Sequence, residues 1–173
     1  MVITELNLKE LVEQYNIVPS TSIDQFSITL HLNSIIKRYG FKSGHTVTYG
    51  EKIDDDNIST IEITNEYILE SGQSILACSN ENVNIPQGYI GFLQTKGSLA
   101  RLFVTIHCCD GQIEPGFSGR VTFEICNIGY LNIRLLPNAP VAQLFIFKCS
   151  SDMETYNGQY NQSQSPTYSN PKK

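Results

Sequence analysis

Long apolar runs are missing from this chain. No stretch of its 173 residues approaches the roughly 18–20 consecutive apolar residues that a membrane-spanning helix needs. The opening Met1-Val2-Ile3-Thr4-Glu5 lacks both the basic start and the apolar segment of a secretory leader, so a cytoplasmic protein with no membrane partner is expected. Positive charge is scarce. Lys and Arg total 12 against 17 Asp and Glu, for a net charge of −5, which argues against a nucleic-acid surface. A few focused cations can still hold a phosphate-bearing small molecule. The five cysteines (Cys78, Cys108, Cys109, Cys126, Cys149) are odd in number and lack framework spacing. Cys108 and Cys109 would face opposite sides of a strand, and reduced thiols are expected.

Familiar catalytic signatures are absent as well. There is no HxE with a PCxxC partner, so the zinc site of one deaminase class is excluded. His107-Cys108-Cys109 is too tightly spaced along a strand for a tetrahedral metal site. A P-loop, a GxGxxG turn and a GxSxG elbow are all missing.

What is present is a globular chain, with 40% hydrophobic and 17% charged residues, of a length that suits one domain. Residues 4–15 read as a short amphipathic helix, with Leu8, Leu11, Val12 and Tyr15 on one stripe, Thr4 as N-cap and Pro19 beyond its end. The period then changes to two. Ser27–Leu32 and Ser59–Thr64 alternate, and strand-like runs follow at Tyr67–Leu69, Ser74–Cys78, Ile90–Gln94, Phe103–Cys109, Arg120–Ile125, Leu131–Leu135 and Ala142–Lys148. Turns punctuate them at Ser71-Gly72, Pro86-Gln87-Gly88, Glu114-Pro115-Gly116 and Pro137-Asn138. This is the pattern of a mainly β sandwich, barrel or jelly roll. Residues 37–58, ending in Asp54-Asp55-Asp56, read as a polar loop whose acidic triplet is solvated or binds a divalent ion. Residues 151–173 form a polar tail with almost no aliphatics, which orders only against another surface.

Chemistry concentrates in Thr95–Glu124. Lys96-Gly97-Ser98-Leu99-Ala100-Arg101 places two cations, a hydroxyl and a glycine in a strand-to-helix turn, either a phosphate cradle or a solvated turn. Glu114 sits in a tight turn. Glu124 lies within the strand Val121-Thr122-Phe123-Glu124-Ile125-Cys126, so it is either paired or has a raised pKa, the property that a general acid/base uses. His107 reads as a structural histidine, Asp24 as bonding its own turn, and Tyr160 as packing or stacking on a base.

Together these segments resemble the dCTP deaminase family, which shares its fold with the dUTPases. Ser22-Ile23-Asp24 is similar to the family's SIDLRL strand. Leu69-Glu70-Ser71-Gly72-Gln73 with Glu81–Pro86 is similar to its LEPGE and ExVxLP segments. Gly97-Ser98-Leu99-Ala100-Arg101 matches SSLAR, and Ile113-Glu114-Pro115-Gly116-Phe117-Ser118-Gly119 matches IDPGFxG. The resemblance implies a dUTPase-like distorted β-barrel or jelly roll over 1–150, with a short N-terminal helix and a tail, 151–173, that closes over the active site. It implies a homotrimer with sites between subunits and a pyrimidine deoxynucleotide as ligand. The reaction implied is zinc-independent conversion of dCTP to dUTP and ammonia.

In that scheme Glu124 is the general base and Arg101 places the water. Lys96, Gly97, Ser98, Gln112, Glu114, Tyr156, Gln159, Tyr160 and Ser163 hold the nucleotide, and Mg²⁺ enters through the phosphates rather than through a protein metal site. The dUTPases carry an apolar residue at the place of Glu124. This chain departs from the family at Lys96-Gly97 for Arg-Ser, at Glu114 for Asp, at Gln159 for Lys and at Ser163 for Gln, with Gln162 and Gln164 adjacent to Ser163. Those departures keep two other readings open: a nucleotide-binding homologue without turnover, and a dUTP diphosphatase or bifunctional enzyme giving dUMP.

Overall fold

Residue periodicity sorts the chain into one substantial helix and many short strands. In the computed structural model, which describes residues 1–18, 22–151 and 153–170, helix α1 covers Glu5–Tyr15. It buries Leu8, Leu11 and Val12 but leaves Tyr15 at the surface, so the apolar stripe is shorter than its spacing suggested. Asn16 ends the helix in the left-handed conformation at φ 48°, its N–H bonded to Val12 O. Pro19, the expected stop, lies outside the described residues. Thr4 occupies the N-cap without a side-chain cap bond; instead the Glu5 N–H bonds Gln25 O at 2.6 Å.

The strands are β1 (Ser22–Ile23), β2 (Ile28–His31), β3 (Ile35–Tyr39), β4 (Ile58–Glu62), β5 (Tyr67–Leu69) and β6 (Ser74–Asn84). They continue with β7 (Tyr89–Thr95), β8 (Val104–Thr105), β9 (Gln112–Ile113), β10 (Ser118–Asn127), β11 (Ile133–Leu135) and β12 (Pro140–Lys148), with the one-turn helix α2 (Gly97–Ala100) between β7 and β8. One sheet runs β1-β2-β12-β7-β9, a second runs β4-β3-β6-β10-β8, and β11 pairs with β5 in a separate ribbon. Strand pairs in all three sheets are antiparallel. This is the expected mainly β, dUTPase-like jelly roll.

Two expectations fail. Residues 37–58 are not all loop, because Lys37–Tyr39 belong to β3 and pair with β4 from Thr60 back to Ile58. β3 fully buries only Ile36, so its sequence shows little of the alternation that marks a half-buried strand. Phe103–Cys109 is not one strand either. Phe103 adopts φ 59°, only Val104 and Thr105 pair along β10, and Cys108 and Cys109 both lie exposed in a bend.

β10 and β12 carry the core. On β10, Gly119, Val121, Phe123, Ile125 and Asn127 are buried, while Ser118, Arg120, Thr122, Glu124 and Cys126 share the opposite, half-exposed face. The register with β6 slips between Arg120 and Thr122. At that bulge the Val121 N–H bonds the buried Ser79 hydroxyl at 2.9 Å, and Ser79 Oγ donates to Glu81 O at 2.7 Å, so neither the Val121 N–H nor the Ser79 hydroxyl is stranded. Asp24 bonds its own turn as expected, accepting from Phe26 N, Ser27 N and Ser27 Oγ at 3.0–3.1 Å.

Asn127, buried at the end of β10, ties three segments. Its Nδ2 donates to the carbonyls of Leu69, Glu70 and Leu131, and its Oδ1 accepts from Gly129 N. Replacing it by alanine strands several buried polar groups and is expected to cost about 2–3 kcal/mol, measurable as a shift in urea unfolding free energy; a loss below about 0.5 kcal/mol would contradict this role.

Candidate functional site

The half-exposed face of β10 is covered by the chain's own tail. The Gln162 N–H bonds Ser118 O at 2.6 Å, the Arg120 N–H bonds Ser163 O at 2.8 Å, and the Thr167 N–H bonds Thr122 Oγ1 at 3.0 Å. The turn ahead of β10 is shaped for this docking. Gly116 (φ 88°) and Gly119 (φ 144°) have backbones that favour glycine. A Cβ on Gly116 would collide with Thr155, and one on Gly119 would lie 2.9 Å from Ser163 O. Further along, Tyr168 OH bonds Asp55 and the Ser169 N–H reaches Tyr39 OH at 3.4 Å. The acidic triplet therefore gives one carboxylate to the tail. Among the described residues no group of three His, Cys, Asp or Glu is placed to hold a metal ion.

Between this face and the tail lies a cavity of about 430 Å³. β10 contributes Arg120, Thr122 and Glu124 to its wall; the segment before β9, β9 itself and the turn after it contribute Asp110, Gln112 and Glu114; the tail contributes Tyr156, Tyr160 and Tyr168. Five residues expected at the site from sequence, Glu124, Gln112, Glu114, Tyr156 and Tyr160, thus meet in one place. Gln159 lines an adjoining cavity of about 400 Å³ together with Tyr160 and Lys37. Ser163 lines neither; its backbone carbonyl docks the tail on Arg120 N.

Glu124 is held from both of its ends. Its backbone N–H bonds Ile106 O at 2.9 Å, and its carboxylate Oε2 accepts from the N–H groups of Cys109 (2.9 Å) and Asp110 (3.2 Å). It is therefore the paired kind of strand carboxylate. Burial pushes the Tyr156 phenol up, and the nearby Glu114 and Asp110 carboxylates add to that shift although a hydrogen bond with the Tyr160 backbone opposes it. Neighbouring Cys126, with burial and Cys109, pushes the Cys108 thiol up to about 12, and burial pushes Cys78 up to about 11. Neither is a thiolate nucleophile at neutral pH.

His107 makes structural contacts: its backbone forms a parallel β-bridge with Glu124, and its Nδ1 lies 3.5 Å from Thr95 Oγ1. Arg120, Thr122, Asp110 and Lys37 were missed. Only the shared alternation with Glu124 could have flagged Arg120 and Thr122; Asp110 and Lys37 arrive through a bend and a neighbouring strand.

The second expected group stands apart. Lys96, Gly97, Ser98 and Arg101 line neither cavity. Lys96 Nζ donates to Thr29 Oγ1 at 3.1 Å. It also lies close enough to Asp24 to help lower that carboxyl, where burial acts upward but the bonds from Phe26 and Ser27 prevail. Arg101 folds back so that Nη1 donates to Gly97 O at 2.8 Å, and a Cβ on Gly97 would stand 3.0 Å from that nitrogen. Gly97 thus leaves room for the guanidinium. Beside this turn lie exposed apolar side chains: Leu102, Phe103 at 60% exposure, Ile128 at 71% and Tyr130 at 83%.

Comparison with known proteins gives a consistent picture. A family model described as dCTP deaminase-like matches residues 2–149. The chain is 33% identical over 151 residues, 82% of its length and 77% of the relative's, to a protein of Salinispora arenicola named dCTP deaminase, dUMP-forming. A protein of the same name from Pseudarthrobacter chlorophenolicus is 27% identical over 98% of this chain and 94% of its own. Among solved structures, a 2'-deoxycytidine 5'-triphosphate deaminase from Agrobacterium tumefaciens superposes with a TM-score of 0.63 at 15% identity. That match covers 84% of this chain and 47% of the Agrobacterium chain, so this chain spans about half its length.

The surroundings of His107 make a pH-dependent outcome explicit. Burial lowers its pKa, and the Glu124 charge pulls in the opposite direction. With the folded value below that of the unfolded chain, the ring contributes nothing above the ordinary histidine pKa of about 6.5 and removes stability as pH falls below it. A ¹H–¹³C NMR titration is expected to place His107 below the ordinary value, and Glu124→Gln is expected to lower it further. A rise in that variant would contradict the contact.

Proposed function

The chain belongs to the dCTP deaminase-like family, and on that premise we propose that it hydrolyses dCTP to dUTP and ammonia and then hydrolyses dUTP to dUMP and diphosphate. The observation that carries this reading is the Glu124 carboxylate, fixed by the Cys109 and Asp110 amides and facing a cavity roofed by the tail. A pyrimidine enters with C4 toward Glu124. Glu124 takes a proton from a water as the oxygen adds to C4 and passes it to N3; a second proton transfer releases the amino group as ammonia. The tail tyrosines exclude bulk water during these steps.

The sequence suggested dUTP as the product. The names of the relatives support dUMP instead, and the wall suits a second hydrolysis, since Asp110 and Glu114 stand in the cavity besides Glu124. Mg²⁺ arriving with the triphosphate would supply charge neutralisation there.

Ser98 and Arg101 would complete the site from a neighbouring copy in a homotrimer. Support comes from the separation of their turn from the Glu124 cavity and from the exposed apolar side chains beside Arg101, which a second copy would cover. Lys96 would reach phosphate on exchanging its bond to Thr29.

Incubation with dCTP and Mg²⁺, followed by ion-exchange separation, is expected to give dUMP, with the rate falling at least about 10²-fold in Glu124→Gln. Accumulation of dUTP would limit the enzyme to deamination; nucleotide binding without conversion would leave a binder that has lost turnover. Mixing Glu124→Gln with Arg101→Ala protein, each inactive alone, is expected to restore activity at about a quarter of the sites after subunit exchange. Failure to complement despite exchange, or a monomer by light scattering, would rule out the shared site.

A further inference from the structure

Two cations lie near the tail, each outside any ion pair among the described residues. Arg120 on β10 and Lys37 on β3 are both half-buried. Neither belongs to an ion pair among the described residues, where the pairs are His31–Glu81 and Arg134–Glu66. β6 runs between their strands; burial pushes the thiol of its Cys78 up, and the Arg120 and Lys37 charges both act on it in the opposite direction. That thiol supplies no compensating charge at neutral pH. Arg120 Nε is buried without any hydrogen-bond partner, and the nearest aromatic support for Lys37 is the Tyr168 ring, its centre 5.4 Å from Nζ. Two like charges held this way, one with an unbonded N–H, are an arrangement that an anion would complete.

Their position says which anion. Arg120 lines the Glu124 cavity, and Lys37 lines the adjoining one. Tyr160, Thr167 and Tyr168 border both, so the two spaces meet across the tail. Asp110, Glu114 and Glu124 make the rest of the first cavity acidic, which repels a polyphosphate unless a cation is supplied locally. Arg120 is four residues from Glu124 on the same face of β10, roughly 13 Å at the usual strand rise. That separation suits a nucleoside triphosphate with its base at one end and its distal phosphates at the other.

We propose that Arg120 and Lys37 form a phosphate subsite for the nucleotide whose base lies at Glu124. This rests on the cytosine-nucleotide reading and adds to it the direction in which the nucleotide lies. The phosphate chain runs along β10 toward β3, under Thr167 and Tyr168, and the tail closes on the phosphates as well as on the base.

The test is isothermal titration calorimetry of the full chain with inorganic tripolyphosphate and with dCTP. Wild-type protein is expected to bind both. Arg120→Gln and Lys37→Gln are each expected to weaken both affinities by about tenfold or more, while Glu124→Gln keeps its affinity for tripolyphosphate. Thermal midpoints identify any variant that has lost its fold; should Arg120→Gln be one, Lys37→Gln decides the matter. Unchanged affinities in a folded Lys37→Gln variant, or no tripolyphosphate binding by wild type, would overturn the subsite. If the two variants lose tripolyphosphate while wild type converts no dCTP, the subsite stands and the deaminase reading falls.

Discussion

The strict alternation of β10 is the constraint on which the rest of the molecule depends. Every second side chain from Gly119 to Asn127 goes into the core, and those between go to the cavity. Because the period is two, the packing of Val121, Phe123 and Ile125 also aims Arg120, Thr122 and Glu124, and a slip of one residue would bury a carboxylate and expose a phenylalanine. The bulge at Val121 is the one irregularity, and the Ser79 hydroxyl satisfies it. The carboxylate is thus positioned by the strand that holds the sheet together, with the amides of Cys109 and Asp110 fixing its far end.

The tail is held in a different manner. It has almost no aliphatic residues, and it docks through backbone bonds to Ser118, Arg120 and Pro115 and through tyrosines that contact Phe117, Asp55 and Lys37. Net contributions of about 0.5–1.5 kcal/mol per hydrogen bond, without a buried apolar anchor of core size, place this segment at the low end of local stability. A cover of that kind opens at far lower cost than the whole domain unfolds, which suits the nucleotide site proposed above. The glycines of the turn at 113–119 belong to this arrangement, since side chains at Gly116 and Gly119 would push the tail away.

Charge is distributed to the same end. The chain is acidic overall, and its cavity wall is acidic too, yet Arg120 and Lys37 lie half-buried under the tail without an ion-pair partner among the described residues. Three other charged groups have partners within the chain: Glu81 pairs His31, Lys96 is engaged by Thr29, and Arg101 folds onto Gly97 O. Where a cation is left without a partner in so acidic a protein, a phosphate-bearing ligand is the natural complement.

Most of the β architecture was legible in the sequence, because alternation and turn chemistry are local properties. The N-terminal helix, the strands β5, β6, β7, β10, β11 and β12 and all four expected turns follow from neighbours a few residues apart. Glu124 was legible for the same reason, as a carboxylate in an otherwise apolar strand, and the SLAR and EPGF motifs pointed to the family. β3 was hidden because a strand that fully buries a single side chain carries no clear period, and the bend at His107–Asp110 was hidden because Phe103 leaves the strand conformation. Which residues share a wall was decided only by tertiary structure. Lys37 and Arg120 are 83 positions apart in the sequence and converge because β6 pairs with both of their strands. Such pairing depends on long-range hydrogen bonding and packing, which no local pattern of residues records.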